Sequence, residues 1–326
     1  MKKNILVLGG AGYIGSHTVK KLLLKGYNPI IADNLSTGHK EFVLTDNFYK
    51  IDIGDKFALN NIFVENKIDA VIHFAASAYV GESVKNPAKY YNNNVVKTIN
   101  VLDCMLENNV QNIIFSSSCA TYGYPEYLPI DEKHSQTPIN PYGKTKLIIE
   151  KVLDDYDLAY GLKSVCLRYF NAAGADKNGE LFENHIPETH LIPLVLKVAL
   201  GECEYITVNG NDWDTKDGTC IRDYIHVEDL ADAHILALEN LLINQQSLKI
   251  NLGTGIGTSI LEIIRAVEKI TGKEVPILFG ERRSGDPATL VASNTLAKEQ
   301  LYWIPRYTNI EEIVATAYNA ILKNKK

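Results

Sequence analysis

Asn4-Ile5-Leu6-Val7-Leu8 runs into Gly9-Gly10-Ala11-Gly12-Tyr13-Ile14-Gly15 and then into Ser16 to Lys25, which has a helical pattern. A short apolar run, a glycine turn and an amphipathic segment spell strand, loop and helix. Glycines permit the tight turn and let a pyrophosphate approach backbone N–H groups at the helix N-terminus. A second apolar run, Asn28 to Ala32, ends at Asp33. A carboxylate there accepts hydrogen bonds from ribose hydroxyls and repels a 2′-phosphate. No arginine stands nearby to receive such a phosphate, so the spacing favours NAD over NADP.

Outward from this unit, strand and helix patterns alternate through the first 170 residues. Further strands are expected at Phe48 to Ile53, Asp69 to Phe74, the run ending at Phe115, and Ser164 to Tyr169. Helices are expected from about Lys56, over Ala88 to Glu107, and after Pro141. This rhythm predicts an α/β fold: a Rossmann-type, doubly wound parallel sheet with ligands at the carboxyl ends of its strands. Beyond Asn171 the rhythm breaks. A loop rich in Gly, Asn, Asp and Glu (Gly174 to Asn184) precedes a helix near His190 to Leu200. Short strands at Tyr205 to Val208 and Val275 to Phe279 follow, with helices near Asp229 to Leu242, Thr258 to Thr271 and Asn309 to Leu322. The expected organisation is a dinucleotide-binding domain, 1–171, and a smaller α/β substrate-binding lobe, 172–326, with 223–242 packing back on the first.

A second stretch carries chemistry. In Asn140-Pro141-Tyr142-Gly143-Lys144-Thr145-Lys146, Asn140 is a helix cap and Pro141 fits the first helical position. Tyr142 and Lys146 then share a helix face. An ammonium beside a phenol lowers its pKa from about 10 and makes a proton-transfer device of the pair. By itself Tyr-x-x-x-Lys reads equally as a solvated helix face, and the serines Ser116-Ser117-Ser118 as ordinary turn chemistry.

Taken together these elements resemble the extended short-chain dehydrogenase/reductase family. Gly9, Gly12 and Gly15 match its glycine pattern, Tyr142 and Lys146 its Tyr-x-x-x-Lys, and Ser118 its active-site hydroxyl after the fifth strand. Four further segments are similar to the UDP-galactose 4-epimerases within that family: His73-Phe74-Ala75-Ala76 with Val80-Gly81-Glu82-Ser83, Arg168-Tyr169-Phe170-Asn171, Asp217-Gly218-Thr219-Cys220-Ile221-Arg222-Asp223-Tyr224-Ile225-His226-Val227, and Arg283-Ser284-Gly285-Asp286.

The resemblance implies a bound NAD contacted by Gly9, Gly12, Tyr13, Ile14, Gly15, Asp33, Asn34, Ser36, Asp52, Ile53, Phe74, Ala75, Ala76, Asn93 and Phe170, together with the catalytic Ser118, Tyr142 and Lys146. It implies a UDP-sugar held by Asn171, His190, Leu191, Arg222, Tyr224, Arg283, Asp286 and Leu290, with Ser118 and Tyr142 at the sugar. Arginines suit the diphosphate because charge-assisted bonds to it are strong and bidentate. For Arg222 alone, a structural ion pair with Asp223 or Glu228 is the competing reading. His226 reads as a packed structural histidine.

The chain departs from the pattern at Ala78, where some members carry lysine, and at Asn209, where some carry an aromatic. Thr189-His190-Leu191 stands where some have Asn-Asn-Leu. Leu290 stands where a residue beside the sugar C2 substituent is expected, so N-acetylated sugars fit the reading too.

Composition bounds the alternatives. The chain has 326 residues, 46% hydrophobic and 22% charged, with a net charge of −6. That charge gives no reason to expect nucleic acid or an anionic membrane as partner. Five widely spaced cysteines without Cys-x-x-Cys read as reduced thiols of a cytoplasmic protein. No signal peptide or membrane helix is expected. The scattered His185, His190, His226 and His234 suggest no metal-ligand spacing. A 4,6-dehydratase would need an acid–base pair after Ser118, where Cys119, Ala120 and Thr121 stand instead. A UDP-glucuronate epimerase or decarboxylase is left open, and a non-catalytic NAD-sensing regulator is disfavoured because both Tyr142 and Lys146 are present. The resemblance also implies a homodimer, through Ala88–Glu107 and Pro141–Tyr160.

Overall fold

The computed structural model describes residues 2–283 and 285–325. Six strands follow the expected rhythm: β1 (Asn4–Leu8), β2 (Asn28–Ala32), β3 (Phe48–Tyr49), β4 (Ala70–His73), β5 (Asn112–Ser118) and β6 (Lys163–Tyr169). The chain then gives β7 (Asn171–Ala173), β8 (Ile206–Asn209), β9 (Ile221–His226), β10 (Leu248–Leu252), β11 (Gly257–Ser259), β12 (Ile277–Gly280) and β13 (Thr289–Leu290). The large sheet is wholly parallel, in the order β10-β6-β5-β4-β1-β2-β3. The chain reverses direction across the sheet between β1 and β4, where a crevice opens at the strands' carboxyl ends. Because both faces are covered, the strands are continuous apolar runs. Ile5, Val7, Ile72 and Ile114 pack on one face, and Leu6, Leu8, Val71 and Ile113 on the other.

The chain beyond 171 differs from expectation in its connections. Helix Val227–Asn244 packs on helix Tyr13–Leu24. In addition, β10 joins the large sheet beside β6, and Trp303 is buried in the same core. Residues beyond 171 therefore build more of the large sheet's flank than one helix. The remaining strands form two small sheets. In one, β9 pairs with β7, β11 and β13; in the other, β8 pairs with β12. Helices Leu191–Ala199, Ile260–Thr271 and Ile310–Asn324 cover a separate core of Val195, Leu196, Ile263, Val267 and Val314.

The expected long helix 88–107 is interrupted. Pro87–Tyr90 is α-helical, Tyr91–Val96 widens into a π-helical turn, and Lys97–Glu107 returns to α-geometry. Such bulges frequently mark functional sites. This one brings Asn94 to the loop after β4, where its Oδ1 accepts from the Ser77 N–H at 2.8 Å and its Nδ2 donates to the Ser77 carbonyl at 2.9 Å.

Four histidines are buried without charge. Burial disfavours the imidazolium and holds His17 and His234 down to about 4, and His73 and His226 to about 3. The unfolded chain, whose histidines titrate near about 6.5, takes up protons that the folded chain refuses as the pH falls. Stability therefore rises with pH through the window from about 4 to about 6.5, by up to about 1.4 kcal/mol per pH unit for each histidine. We expect the urea midpoint to fall steeply between about pH 7 and about pH 5. His234→Gln should flatten that dependence, as unfolding curves at the two pH values would record.

Candidate active site

The glycine turn is shaped by contacts that admit no side chain at two positions. A Cβ on Gly15 would lie 2.1 Å from the Gly9 carbonyl oxygen, and one on Gly9 would lie 2.7 Å from the Ala75 nitrogen. Gly9 also has φ +79°, which L-residues rarely adopt. Gly12 caps helix Tyr13–Leu24 with no side chain over its N-terminus, leaving a positive helix end facing the crevice. Asp33 closes the turn from below: its Oδ2 accepts from the Ala11 N–H at 3.0 Å and its Oδ1 from the Leu35 N–H at 2.8 Å. Burial pushes its pKa up, and these two N–H groups pull against that. This uncapped helix end, with a carboxylate 18 residues beyond Gly15, fits a dinucleotide pyrophosphate and a ribose diol.

The other expected cofactor residues make the following contacts within the protein. The Asp52 carboxylate accepts from Lys97 at 2.7 Å and from Asn34 at 3.0 Å, so it braces the loop after β3 before it meets any ligand. The Ser36 N–H donates to Asn34 Oδ1, and Asn93 donates to Ser77 Oγ at 3.3 Å. The N–H groups of Phe74 and Ala75 both donate to the Leu8 carbonyl at the end of β1, which leads Ala75 and Ala76 past the glycine turn. Tyr13 turns its hydroxyl to the Gly174 carbonyl at 2.6 Å, tying that turn to the segment after β7. Ile14 and Phe74 pack on the large core, Ile53 is buried on its other face, and Phe170 is buried beside Tyr122 and Ala292.

Ser118 ends β5, and helix Pro141–Tyr160 starts beside it, capped by Asn140 Oδ1, which accepts from the Gly143 N–H at 2.9 Å. A Cβ on Gly143 would meet the Ala120 carbonyl oxygen at 2.3 Å, so helix and post-β5 turn are in direct contact. Ser118 Oγ accepts from the Ala120 N–H at 3.2 Å, and Ser118 is close enough to Tyr142 to pull its pKa down against burial. Lys146 Nζ donates to the Ser116 carbonyl at 2.6 Å and lies 5.8 Å from the Tyr142 ring centre.

The expectation that Lys146 makes Tyr142 a phenolate needs correction for the protein alone. Burial pushes Tyr142 up to about 12, against the pull of Ser118, and burial also pushes Lys146 down to about 7 despite the Glu150 charge. Desolvation is the largest cause for both groups and acts against both charged forms.

Sequence reading missed what stands behind this pair. Glu150, one turn beyond Lys146, is fully buried and meets the Arg168 guanidinium through Nε at 3.0 Å and Nη2 at 2.6 Å. Ser117 and Gln136 donate to the same carboxylate. Arg168 continues to the Tyr122 hydroxyl at 2.8 Å, and that hydroxyl donates to Asn251 Oδ1 on β10 at 2.7 Å. Arg168, met first as part of a motif, is thus a scaffold residue.

The small sheet carries the substrate candidates. Register places Asn171 opposite Tyr224 and Leu290 opposite Arg222. Leu290 packs with Cys119, Tyr122 and Phe170, one residue from Ser118. The competing reading of Arg222 as an ion-pair partner of Asp223 is not what the fold makes. Asp223 is buried and accepts from Thr254, Gly255 and Ala292 instead. Arginine ion pairs among the described residues involve Arg168, Arg282 and Arg306, not Arg222 or Arg283. Arg222 donates only to carbonyls, of Ile221 at 2.8 Å and Ala288 at 3.3 Å. Asp286 follows an exposed Arg283, and Ser284 lies outside the described residues.

His190 Nδ1 lies 2.8 Å from Glu183 and 3.1 Å from Glu188. Leu191, next to it, opens helix Leu191–Ala199.

With this geometry in place, comparison with known proteins decides the family. Residues 5–253 match the model of the NAD dependent epimerase/dehydratase family. The chain belongs to that family. It is 52% identical over 316 residues to the UDP-glucose 4-epimerase of Rhizobium meliloti strain 1021, covering 97% of this chain and 96% of the relative. The crystal structure of UDP-glucose 4-epimerase from Brucella ovis in complex with NAD superposes with a TM-score of 0.95 at 54% identity, over 97% of this chain and 98% of that one. The UDP-Glc/GlcNAc 4-epimerase from Campylobacter jejuni follows at 40% identity and a TM-score of 0.86, over 98% and 99%.

The buried pair gives a stability prediction. Glu150→Ala leaves an uncompensated guanidinium in the interior and should cost about 3–5 kcal/mol. Adding Arg168→Met should recover much of that loss, measured as urea unfolding free energies of both variants.

Proposed function

We propose that this chain is an NAD-dependent UDP-glucose 4-epimerase that interconverts UDP-galactose and UDP-glucose through a transient 4-keto sugar. The observation that carries the reading is the meeting of β5, which ends at Ser118, with the start of the helix that carries Tyr142 and Lys146, while Leu290, the strand partner of Arg222, packs with Cys119. Arg222 and Arg283 have no ion-pair partner among the described residues, which supports assigning them to an anionic ligand.

Bound NAD supplies a hydride acceptor that later gives the hydride back. Gly9 to Gly15 receive its pyrophosphate, and Asp33 its adenosine ribose. Tyr142 takes the proton of the sugar 4-hydroxyl as the C4 hydride departs, so the C4–O4 bond becomes a carbonyl. Ser118 hydrogen-bonds the same oxygen. Burial pushes the Tyr142 pKa up in the protein alone, so positive charge supplied by a bound cofactor, together with Lys146, would lower it. Arg222 and Arg283 hold the diphosphate, Asn171 and Tyr224 flank it, and Asp286 accepts from the uridine ribose. The keto sugar turns over about its diphosphate link and receives the hydride on its other face.

The competing dehydratase chemistry is disfavoured by Cys119, Ala120 and Thr121, none a carboxylate. The glucuronate-directed alternatives are disfavoured by relatives at about half identity over nearly the whole chain that carry the epimerase name. We further propose a cytoplasmic homodimer. Five free thiols fit a reducing compartment, and Tyr91, Val96, Leu158 and Tyr160 are exposed on the two helical stretches assigned to the interface.

Purified protein incubated with UDP-galactose and no added cofactor should form UDP-glucose, and denaturation should release NAD(H), not NADP(H). Tyr142→Phe should lower turnover by about 10²–10⁴ with UDP-sugar binding largely kept. A variant at wild-type turnover would sink the assignment of the base.

Leu290 borders the pocket beside Cys119 and Phe170 and is smaller than tyrosine. An acetamido group at C2 then enters without the about 1–3 kcal/mol cost of overpacking. Measurable epimerisation of UDP-N-acetylgalactosamine is expected in wild type. Leu290→Tyr should lower kcat/KM for that sugar more than for UDP-galactose, and equal turnover of the N-acetyl sugar by the tyrosine variant would show that Leu290 is not the gate.

A further inference from the structure

Between β7 and helix Leu191–Ala199 the chain reads Glu183-Asn184-His185-Ile186-Pro187-Glu188-Thr189-His190. The scattered histidines suggested no ligand spacing in sequence, yet the turn around Pro187 folds Glu183, His185, Glu188 and His190 onto one point. One donor atom from each lies within 4.8 Å of all the others. His190 Nδ1 is 2.8 Å from Glu183 Oε1 and 3.1 Å from Glu188 Oε1. His185 Nδ1 is 3.4 Å from Glu183 Oε1 and 3.7 Å from Glu188 Oε2.

Zinc–nitrogen and zinc–oxygen bonds of about 2.0–2.2 Å at tetrahedral angles put neighbouring ligand atoms about 3.3–3.5 Å apart. The four nitrogen–oxygen separations bracket that value. A second observation agrees, because buried His185 Nδ1 faces the Glu183 and Glu188 oxygens at 3.4 and 3.7 Å without making a hydrogen bond to either. Charge agrees as well: two carboxylates offset a dication, and two neutral imidazoles complete an N₂O₂ set suited to zinc.

The carboxylates are themselves oriented. Glu188 Oε1 accepts from the N–H groups of Thr189 at 2.7 Å and His190 at 2.8 Å. Tyr13 lies edge-on to His185, and Tyr79 to the same ring from a second element, walling the cluster.

We propose that Glu183, His185, Glu188 and His190 form a four-coordinate binding site for a divalent transition metal, Zn²⁺ in the first instance. All four positions come from protein, so the site is closed and structural. It staples the loop to the first turn of helix Leu191–Ala199, where His190 is the cap residue. Through Tyr13, whose hydroxyl is bonded to Gly174, and Tyr79, whose hydroxyl donates to the Pro187 carbonyl at 3.3 Å, it joins the cofactor turn to the substrate lobe.

The test uses untagged full-length protein, stripped with a chelator and titrated with Zn²⁺ and, separately, Co²⁺. The expected result is about one Zn²⁺ per chain, a raised unfolding temperature, and the intense visible absorption of four-coordinate Co²⁺. The double variant His185→Ala/His190→Ala should lose all three, while Cys203→Ser, which removes an exposed thiol, should keep them. Should the double variant fold poorly, Glu188→Gln serves instead and should weaken Zn²⁺ binding at least about tenfold. Binding below about a tenth of an equivalent, unchanged binding by the variants, or displacement by equimolar Mg²⁺ would overturn the proposal.

Discussion

The pairing of Glu150 with Arg168 fixes the chemistry of the cleft more than any contact made at the cleft itself. Tyr142 and Lys146 ride on one helix, Ser118 ends a strand, and nothing local forces a helix to keep its register against a sheet. A guanidinium bonded twice to a carboxylate, with both side chains excluded from water, tolerates little sliding. Ser117, the neighbour of Ser118, binds the same carboxylate, so strand and helix are referenced to one atom group. Tyr122 and Asn251 extend the network to β10.

That rigidity is what lets desolvation act on the tyrosine and lysine. In water an ammonium some 6 Å from a phenol shifts it slightly, and both groups keep their ordinary protonation. Here burial moves Tyr142 up to about 12 and Lys146 down to about 7, so two groups whose ordinary values nearly coincide are driven apart, each toward its neutral form. Positive charge brought close to the phenol works against that burial and favours its ionised form.

Much of this was legible in sequence, and what escaped did so for physical reasons. The strand–glycine–helix unit and Asp33 were readable because their contacts are local, within a span of about 30 residues typical of such a unit. Tyr142, Lys146 and Ser118 were readable as types, but the direction of the tyrosine's pKa was not, since burial is a property of the fold. Strand β10 reads Leu-Lys-Ile-Asn-Leu, with alternation too short to separate from coil, and lies at the sheet edge beside β6. The widened turn at Tyr91–Val96 follows from tertiary packing of Asn94 on Ser77 and leaves no mark on helical periodicity. Glu150 and Arg168 lie 18 residues apart, and only strand β6 returning beside the helix brings them together. The grouping of His190 with Glu183 and Glu188 escaped because they meet through a proline turn, not through any helical or strand spacing.

Asp223 deserves its place at the centre of the small sheet for a mechanical reason. Its carboxylate gathers the N–H groups of Thr254, Gly255 and Ala292, from the segment leaving β10 and the segment leaving β13. β10 belongs to the large sheet and β9 to the small one, so the lobes are sewn together by a buried acceptor instead of joined by a swivel. Two segments that leave different sheets end on one carboxylate, so the boundary between the sheets is a seam and not a hinge.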